Sequence, residues 1–85
     1  EEVLDFTREA RPPREDPVFQ SLSGREREIL RLAMRGHDNA RIGAELFISD
    51  KTVRNHVSRI YEKLGVASRA QAIALAHERG FAAGD

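Results

Sequence analysis

The stretch that decides the fold is "SDKTVRNHVSRIYEKLG", residues 49–65. Placed on a helical wheel at about 100° per residue, it separates into an apolar seam and a polar arc. The seam consists of Val53, Val57, Ile60 and Leu64. The arc consists of Lys51, Arg54, Asn55, Ser58 and Arg59, together with Glu62 near the C-terminal end of the helix. The pattern predicts a helix that packs one side against a core and exposes the other.

Both ends of this helix are marked by residues typical of helix termini. Ser49 is a good N-cap, and Ile48 and Val53 are spaced around it as a hydrophobic staple. Gly65 ends the helix, because a left-handed residue at this position is favourable mainly for glycine. The third of four predicted helices therefore covers residues 50–64.

Two helices are predicted before it. In the first, Ser23 and Glu26 form a capping box, and Gly36 provides the end. The second is short and starts at Asp38 or Asn39, which are both good N-caps. The inward-facing residues are Ile29, Leu30 and Ala33 in the first helix, and Ile42, Gly43 and Leu46 in the second. Only "LFI" separates the second helix from the third, and so short a connection predicts a helix-turn-helix.

The fourth helix opens with a second capping box, formed by Ser68 and Gln71, and it stops at Gly80. The sequence shows no strand pattern and no internal repeat. The predicted fold is therefore all-α, a compact four-helix domain with a central helix-turn-helix.

The composition limits the class of protein. Apolar residues make up 40% and charged residues 33% of the 85 residues, which is typical of one small globular domain. The absence of cysteine excludes disulfides and thiolate metal sites. With no nucleophile–base pair, phosphate loop or metal-ligand spacing, we expect neither an enzyme nor a cofactor. No apolar run approaches the ~20 residues of a membrane span and no secretory signal opens the chain, so we expect a cytoplasmic protein without a membrane partner.

The distribution of charged residues and of prolines predicts a domain boundary near residue 18. Residues 1–20 carry six acidic and three basic side chains. Because the whole chain has a net charge of zero, residues 21–85 carry an excess of three basic side chains. The segment "RPPREDP" contains three prolines and is typical of a semi-rigid linker. We therefore predict that residues 1–18 are a linker and the end of an upstream domain, and that residues 19–85 form the folded domain.

The residue types on the polar arc favour nucleic acid as its neighbour. After Asp50 no carboxylate appears until Glu62, whereas a helix built only for solubility interleaves both signs of charge. Arginine presents a fork to guanine, asparagine pairs with adenine, and the major groove of DNA admits one helix. A helix that faces only water is the alternative interpretation.

A series of short motifs runs through residues 22–77. They are "LSxRE" at 22–26, "GxxN" at 36–39, Ile-small-x-x-Leu at 42–46, "SxKTVxNH" at 49–56, "KLGV" at 63–66 and "SR" at 68–69. With these motifs the chain resembles the LuxR-type helix-turn-helix domain, found at the C-terminus of NarL/FixJ response regulators. The resemblance implies sequence-specific binding to double-stranded DNA as a homodimer, with helix 50–64 in the major groove and the fourth helix, 68–79, at the dimer contact. It also implies an upstream regulatory domain and RNA polymerase as partners.

The resemblance further implies roles for individual residues. The positions that usually face bases are occupied by Arg54, Asn55 and Ser58. The positions that usually face phosphates are occupied by Lys51, Thr52, His56, Arg59 and Lys63, with Ser49, Asn39 and Arg69 as further candidates. A helical interaction module that has kept the fold and lost DNA binding is the alternative function, and the near-zero net charge favours it slightly.

Gly43 departs from the family, which usually has alanine at this position. A glycine inside a helix costs about 0.5–1 kcal/mol relative to alanine. Either the third helix crosses very closely here, or the second helix is marginally stable. On the propensity alone, we expect Gly43→Ala to raise the melting temperature without abolishing binding.

Overall fold

A computed structural model of the chain describes residues 16–81, which form a short 3₁₀ segment followed by four α-helices. The 3₁₀ segment is Pro17–Ser21, and the helices are α1 (Gly24–Met34), α2 (Asn39–Leu46), α3 (Asp50–Leu64) and α4 (Arg69–Glu78). No strand occurs in this range, so the predicted all-α fold is confirmed. Residues 47–49 form the turn of the helix-turn-helix. None of the four helices combines the length and the apolar character that crossing a bilayer requires.

Local hydrogen bonds explain where the first three helices begin. At α1, the Ser23 hydroxyl accepts from the N–H of Glu26 at 3.2 Å, and the Glu26 carboxylate accepts from the N–H of Ser23 at 2.8 Å. At α2, the Asp38 carboxylate accepts from the N–H of Arg41 at 2.9 Å. The Ser49 hydroxyl does the same for an early N–H of α3. Each cap satisfies a backbone donor that has no partner within the helix, and the three predicted starts are confirmed.

The start of α4 differs from the prediction in one contact. The Ser68 hydroxyl accepts from the N–H of Gln71 at 3.2 Å, as a capping box requires. The Gln71 side chain, however, accepts from the N–H of Ala67 at 2.7 Å and not from that of Ser68. The backbone of Ser68 has φ −148°, whereas that of Ser23 has φ −74°, and the cap of α4 closes one residue earlier than a capping box would.

The core receives side chains from the 3₁₀ segment, from every helix and from the residues that follow α4. Its buried apolar residues are Phe19, Leu22, Ile29, Leu30, Ala33, Ile42, Val53, Ile60, Leu64, Ala72, Ala76 and Phe81. Most of the predicted inward residues are in this set, whereas Leu46 and Val57 are half-buried at its edge. Packing against α1 and α2 thus fixes which side of α3 faces outward.

The two ends of the described chain close on each other. The rings of Phe19 and Phe81 pack at a centroid distance of 4.9 Å, with the Arg27 guanidinium 5.5 Å from the Phe81 ring. Asp16 pairs with Arg79 at 3.0 Å, and its pKa is lowered by a hydrogen bond from the backbone next to it and by this guanidinium. The hydrogen-bonded structure therefore reaches back to Asp16. The rest of the predicted linker, residues 1–15, and residues 82–85 lie outside the described residues.

Gly43 lies where the turn into α3 approaches α2 most closely. A Cβ on Gly43 would lie 2.8 Å from the carbonyl oxygen of Ile48 and 3.4 Å from Cγ2 of Val53. A backbone oxygen cannot rotate away as the end of a side chain can. The structure therefore reverses the expectation for Gly43→Ala to a lower melting temperature, and of the two explanations for the glycine it favours the close crossing.

Phe47 ends α2 in the left-handed conformation, at φ 59° and ψ 44°, with 92% of its surface exposed. This conformation costs a non-glycine residue about 1 kcal/mol, and an exposed ring gains nothing from burial. Phe47→Gly is therefore expected to raise the free energy of unfolding by about 1 kcal/mol in urea titrations. Phe47→Ala also removes the ring but keeps the Cβ, and it is expected to give no gain. A loss of stability with glycine would show that the ring makes a stabilising contact.

Candidate nucleic-acid interface

Five exposed side chains form one surface, which we call the polar face of α3. They are Lys51, Arg54, Asn55, Ser58 and Arg59. The helix has 15 residues and is about 22 Å long at 1.5 Å per residue. Because its apolar seam is anchored in the core, the five side chains sit on a rigid support. The structure thus brings together all three predicted base-facing residues and two of the predicted phosphate-facing ones.

The N-terminal end of α3 adds two hydroxyl groups beside this surface. The Ser49 hydroxyl donates to the Thr52 hydroxyl at 2.9 Å and accepts from the N–H of Thr52 at 3.0 Å. Ser49 is exposed and Thr52 is half-buried. Helix N-termini attract anions because their first N–H groups point outward and the helix dipole is positive there. Both residues therefore lie at the end of α3 that suits a phosphate.

Arg54, the central cation of the polar face, is paired with Asp50 one turn earlier. Its Nη1 donates to Oδ2 of Asp50, and the two side chains are 59% and 51% exposed. Sequence reasoning noted Asp50 only as a carboxylate beside the cap and missed this pair. The spacing of four residues, with the acid on the N-terminal side, was the signal that could have found it.

His56 lies at the border between the polar face and the core. It is half-buried, and its Nδ1 is enclosed without a hydrogen-bonding partner among the described residues. Only the other ring nitrogen, Nε2, is then available to a ligand. Any contact from His56 to a phosphate would therefore come from Nε2.

Lys63, the last predicted phosphate-facing residue of α3, points to the capping box of α1. Its Nζ lies 2.8 Å from the carboxylate of Glu26 and donates to the carbonyl oxygen of Ser21 at 3.0 Å. Glu26 is only 3% exposed. Burial by itself raises the pKa of this carboxyl, but the hydrogen bonds from Lys63 and from the backbone of Ser23 outweigh it and lower the pKa. Lys63 is thus the counter-ion of a buried carboxylate.

Asn39 and Arg69 lie on other elements and contact each other. Arg69 donates to the carbonyl oxygen of His37 and, at 3.5 Å, to the side-chain oxygen of Asn39. Both residues are half-buried, and their contacts join the start of α4 to the start of α2 and to the loop before it. These two side chains and Lys63 are therefore engaged within the protein, and a phosphate contact from any of the three stays a prediction.

Comparison with known proteins identifies a family and several relatives. The family described as bacterial regulatory proteins, luxR family, matches residues 20–76. "Probable transcriptional regulatory protein NarL" of Mycobacterium tuberculosis is 50% identical over 58 residues, which is 68% of this chain and 27% of that protein. "Spore germination protein GerE" of Bacillus subtilis is 50% identical over 58 residues, 65% of this chain and 78% of that protein. The chain thus spans about a quarter of the length of the NarL relative.

Solved structures agree with these relatives. The transcription factor GerE superposes with a TM-score of 0.64 at 49% identity, covering 69% of this chain and 88% of that chain. The response regulator ChrA of a heme-sensing two-component system gives a TM-score of 0.67 at 38% identity, covering 89% of this chain and 35% of that chain. The helical arrangement described above is therefore shared with transcription factors and response regulators.

Proposed function

The chain belongs to the LuxR family of bacterial regulatory proteins, and we propose that residues 19–85 bind specific DNA sequences with α3 in the major groove. Domains of this family bind DNA and form the C-terminal parts of response regulators. The observation that carries the finer proposal is the polar face of α3, which is exposed along a helix held rigidly from behind. A major groove about 12 Å wide admits a helix of this kind.

Different residues of the polar face would supply the specificity and the affinity of DNA binding. Arg54, Asn55 and Ser58 lie along the middle of α3 and carry the donors and acceptors that match base edges. Lys51 and Arg59 flank them with positive charge, which suits the phosphates on either side of the groove. The remaining candidates for phosphate contact near the face are Ser49, Thr52 and His56.

We further propose that the domain acts as a dimer through α4. This helix buries only Ala72 and Ala76 in the core, whereas Ala70 and Ala74 are exposed. Small exposed residues let a second helix approach closely. Two copies would then place two α3 helices on half-sites one DNA turn apart, about 34–36 Å.

The relatives support a proposal about the longer protein to which this domain would belong. The chain spans a minor part of the regulators NarL and ChrA, so we propose an upstream regulatory domain that controls this module. RNA polymerase is the proposed partner once the domain is bound to DNA. Because the proposed target is chromosomal DNA, the proposed location is the bacterial cytoplasm.

Two single substitutions test the proposed roles of Arg54 in base contact and of Lys51 in phosphate contact. The probe is a duplex selected by the wild-type chain from a library with a randomised centre, compared with a scrambled duplex by fluorescence anisotropy at several salt concentrations. Arg54→Ala is expected to lower discrimination by about 1–3 kcal/mol at one base-pair position. Lys51→Ala is expected to weaken binding to both duplexes alike and to reduce the slope against salt by about 1.

The same measurements distinguish the proposal from its alternative. If the two variants lose affinity and discrimination in the same way, the assigned roles of Arg54 and Lys51 are wrong. If the wild-type chain binds no duplex even at low salt, the result contradicts the proposal and supports the alternative, an interaction module that has kept the fold without DNA binding.

A further inference from the structure

The pair of Asp50 and Arg54 calls for an explanation, because it places a carboxylate on a surface proposed to meet DNA. Asp50 is the single acidic residue in the first twelve positions of α3. With both side chains more than half exposed, the pair contributes little to the stability of the fold. A carboxylate at this place also repels phosphate. A carboxylate in the first turn also interacts favourably with the dipole of α3, but that interaction does not need Arg54 as a partner. It therefore leaves the pairing itself unexplained.

The geometry allows Arg54 to hold Asp50 and a base at the same time. A guanidinium has five N–H donors in one plane, and Asp50 engages it through Nη1. The Nη2 and Nε donors leave a second edge free, which suits the two acceptors of guanine. A long side chain that is fixed in advance loses less rotational freedom on binding. A carboxylate one turn away can provide this fixation.

The charge of Asp50 has a second consequence for binding. Paired with it, Arg54 adds almost no net charge to the N-terminal half of the polar face. The attraction to DNA of any sequence depends on the number of phosphates that the protein neutralises. Asp50 therefore lowers the sequence-independent part of binding, while the free edge of Arg54 still recognises the correct base.

We propose that Asp50 is a positioning residue that determines specificity: its carboxylate orients the Arg54 guanidinium for base recognition and reduces binding to DNA of other sequences. The inference rests on the proposed DNA-binding function. It predicts a change in the ratio of affinities for the preferred and the scrambled duplex, and it does not require Asp50 itself to contact a base.

Asp50→Asn tests the proposal in the full chain with the selected and scrambled duplexes described above. Binding to the scrambled duplex is expected to strengthen, with a salt slope steeper by up to about 1. The ratio of the two affinities is expected to fall about three- to tenfold. Asp50→Glu keeps the charge and can still reach Arg54, so it is expected to retain most of the ratio.

Two further variants separate positioning from charge. Glu62→Gln removes one negative charge at the far end of the same helix, and it is expected to strengthen binding to both duplexes while the ratio stays unchanged. In an Arg54→Ala background, Asp50→Asn is expected to leave the ratio unchanged as well, because there is no guanidinium left to orient. Thermal unfolding of each variant confirms that α3 is still folded.

Several results would overturn the proposal. If Asp50→Asn lowers the ratio equally with and without Arg54, Asp50 contacts the DNA directly. If it leaves the wild-type ratio intact, the pair has no part in specificity, although the proposed function stands. If the wild-type chain does not distinguish the two duplexes at all, the proposed function and this inference fail together.

Discussion

Lys63→Met is expected to lower the free energy of unfolding by about 2–3 kcal/mol, because it leaves the buried carboxylate of Glu26 without its counter-ion. Removing one partner of a buried ion pair costs about 3–5 kcal/mol. The figure is reduced here because the Lys63 side chain is 35% exposed, so water reaches this end of the pair. Methionine keeps the length of the aliphatic stem, so the loss reports the ammonium group with its two contacts, to Glu26 and to the carbonyl oxygen of Ser21. Urea unfolding at neutral pH measures it.

A double-mutant cycle with Glu26→Gln is the control for this prediction. The uncharged amide that this substitution introduces can still accept from the N–H of Ser23, so Lys63→Met is expected to cost much less in that background. An equal cost in both backgrounds would contradict the role of Lys63 as counter-ion. The salt slope of DNA binding in Lys63→Met tests separately whether Lys63 also contacts phosphate.

The same pair gives a direction for the dependence of stability on pH. The folded-state pKa of Glu26 lies below its ordinary value, so the native state favours the ionised carboxylate. The stabilising contribution is therefore complete above the ordinary carboxyl pKa of about 4.3, and it is lost as the pH falls through the lower folded-state pKa. The difference in the free energy of unfolding between wild type and Lys63→Met is accordingly expected to decrease at acidic pH.

Gly43→Ala is expected to lower the free energy of unfolding by about 1–3 kcal/mol, even though alanine is the better helix former. The added methyl would lie 2.8 Å from the Ile48 carbonyl oxygen, so the turn into α3 must move. Forcing an extra carbon into a packed site typically costs about 1–3 kcal/mol, which exceeds the gain in helix propensity. Thermal and urea unfolding measure the loss.

Gly24→Ala is the matched control for Gly43→Ala. A Cβ on Gly24 meets no atom within 4 Å, and the residue lies at the first position of α1. Alanine there is expected to be neutral or to stabilise by about 0.5 kcal/mol. If Gly43→Ala stabilises the chain as much as Gly24→Ala does, the turn is able to shift without cost and the close approach does not require glycine.

The order of the helices and most of their ends could be predicted because the signals are local. A cap such as that of Ser23 joins atoms three residues apart, and the left-handed Gly65 (φ 72°) needs no distant partner to end α3. The apolar seam of α3 follows from the helical period alone. The polar face was predicted for the same reason, since every member lies on one helix.

The exceptions depend on backbone conformations that the sequence pattern does not specify. Phe47 adopts a conformation usually reserved for glycine because the short turn requires it. The Gln71 side chain accepts from the N–H of Ala67, where a capping box would use the N–H of Ser68. The backbone angles of Ser68 accompany this difference. Both differences are small in extent, and neither changes the order of the helices.

The sequence by itself determined the four helices, most of their caps and the chemistry of the exposed side of α3, because these depend on atoms within one or two turns of each other. The tertiary structure alone decided that Lys63 pairs with Glu26 across 37 residues, that Arg69 reaches Asn39 across 30, and that Gly43 has no room for a methyl. Helical periodicity specifies which direction a side chain faces, but only the packing of helices specifies what it meets there.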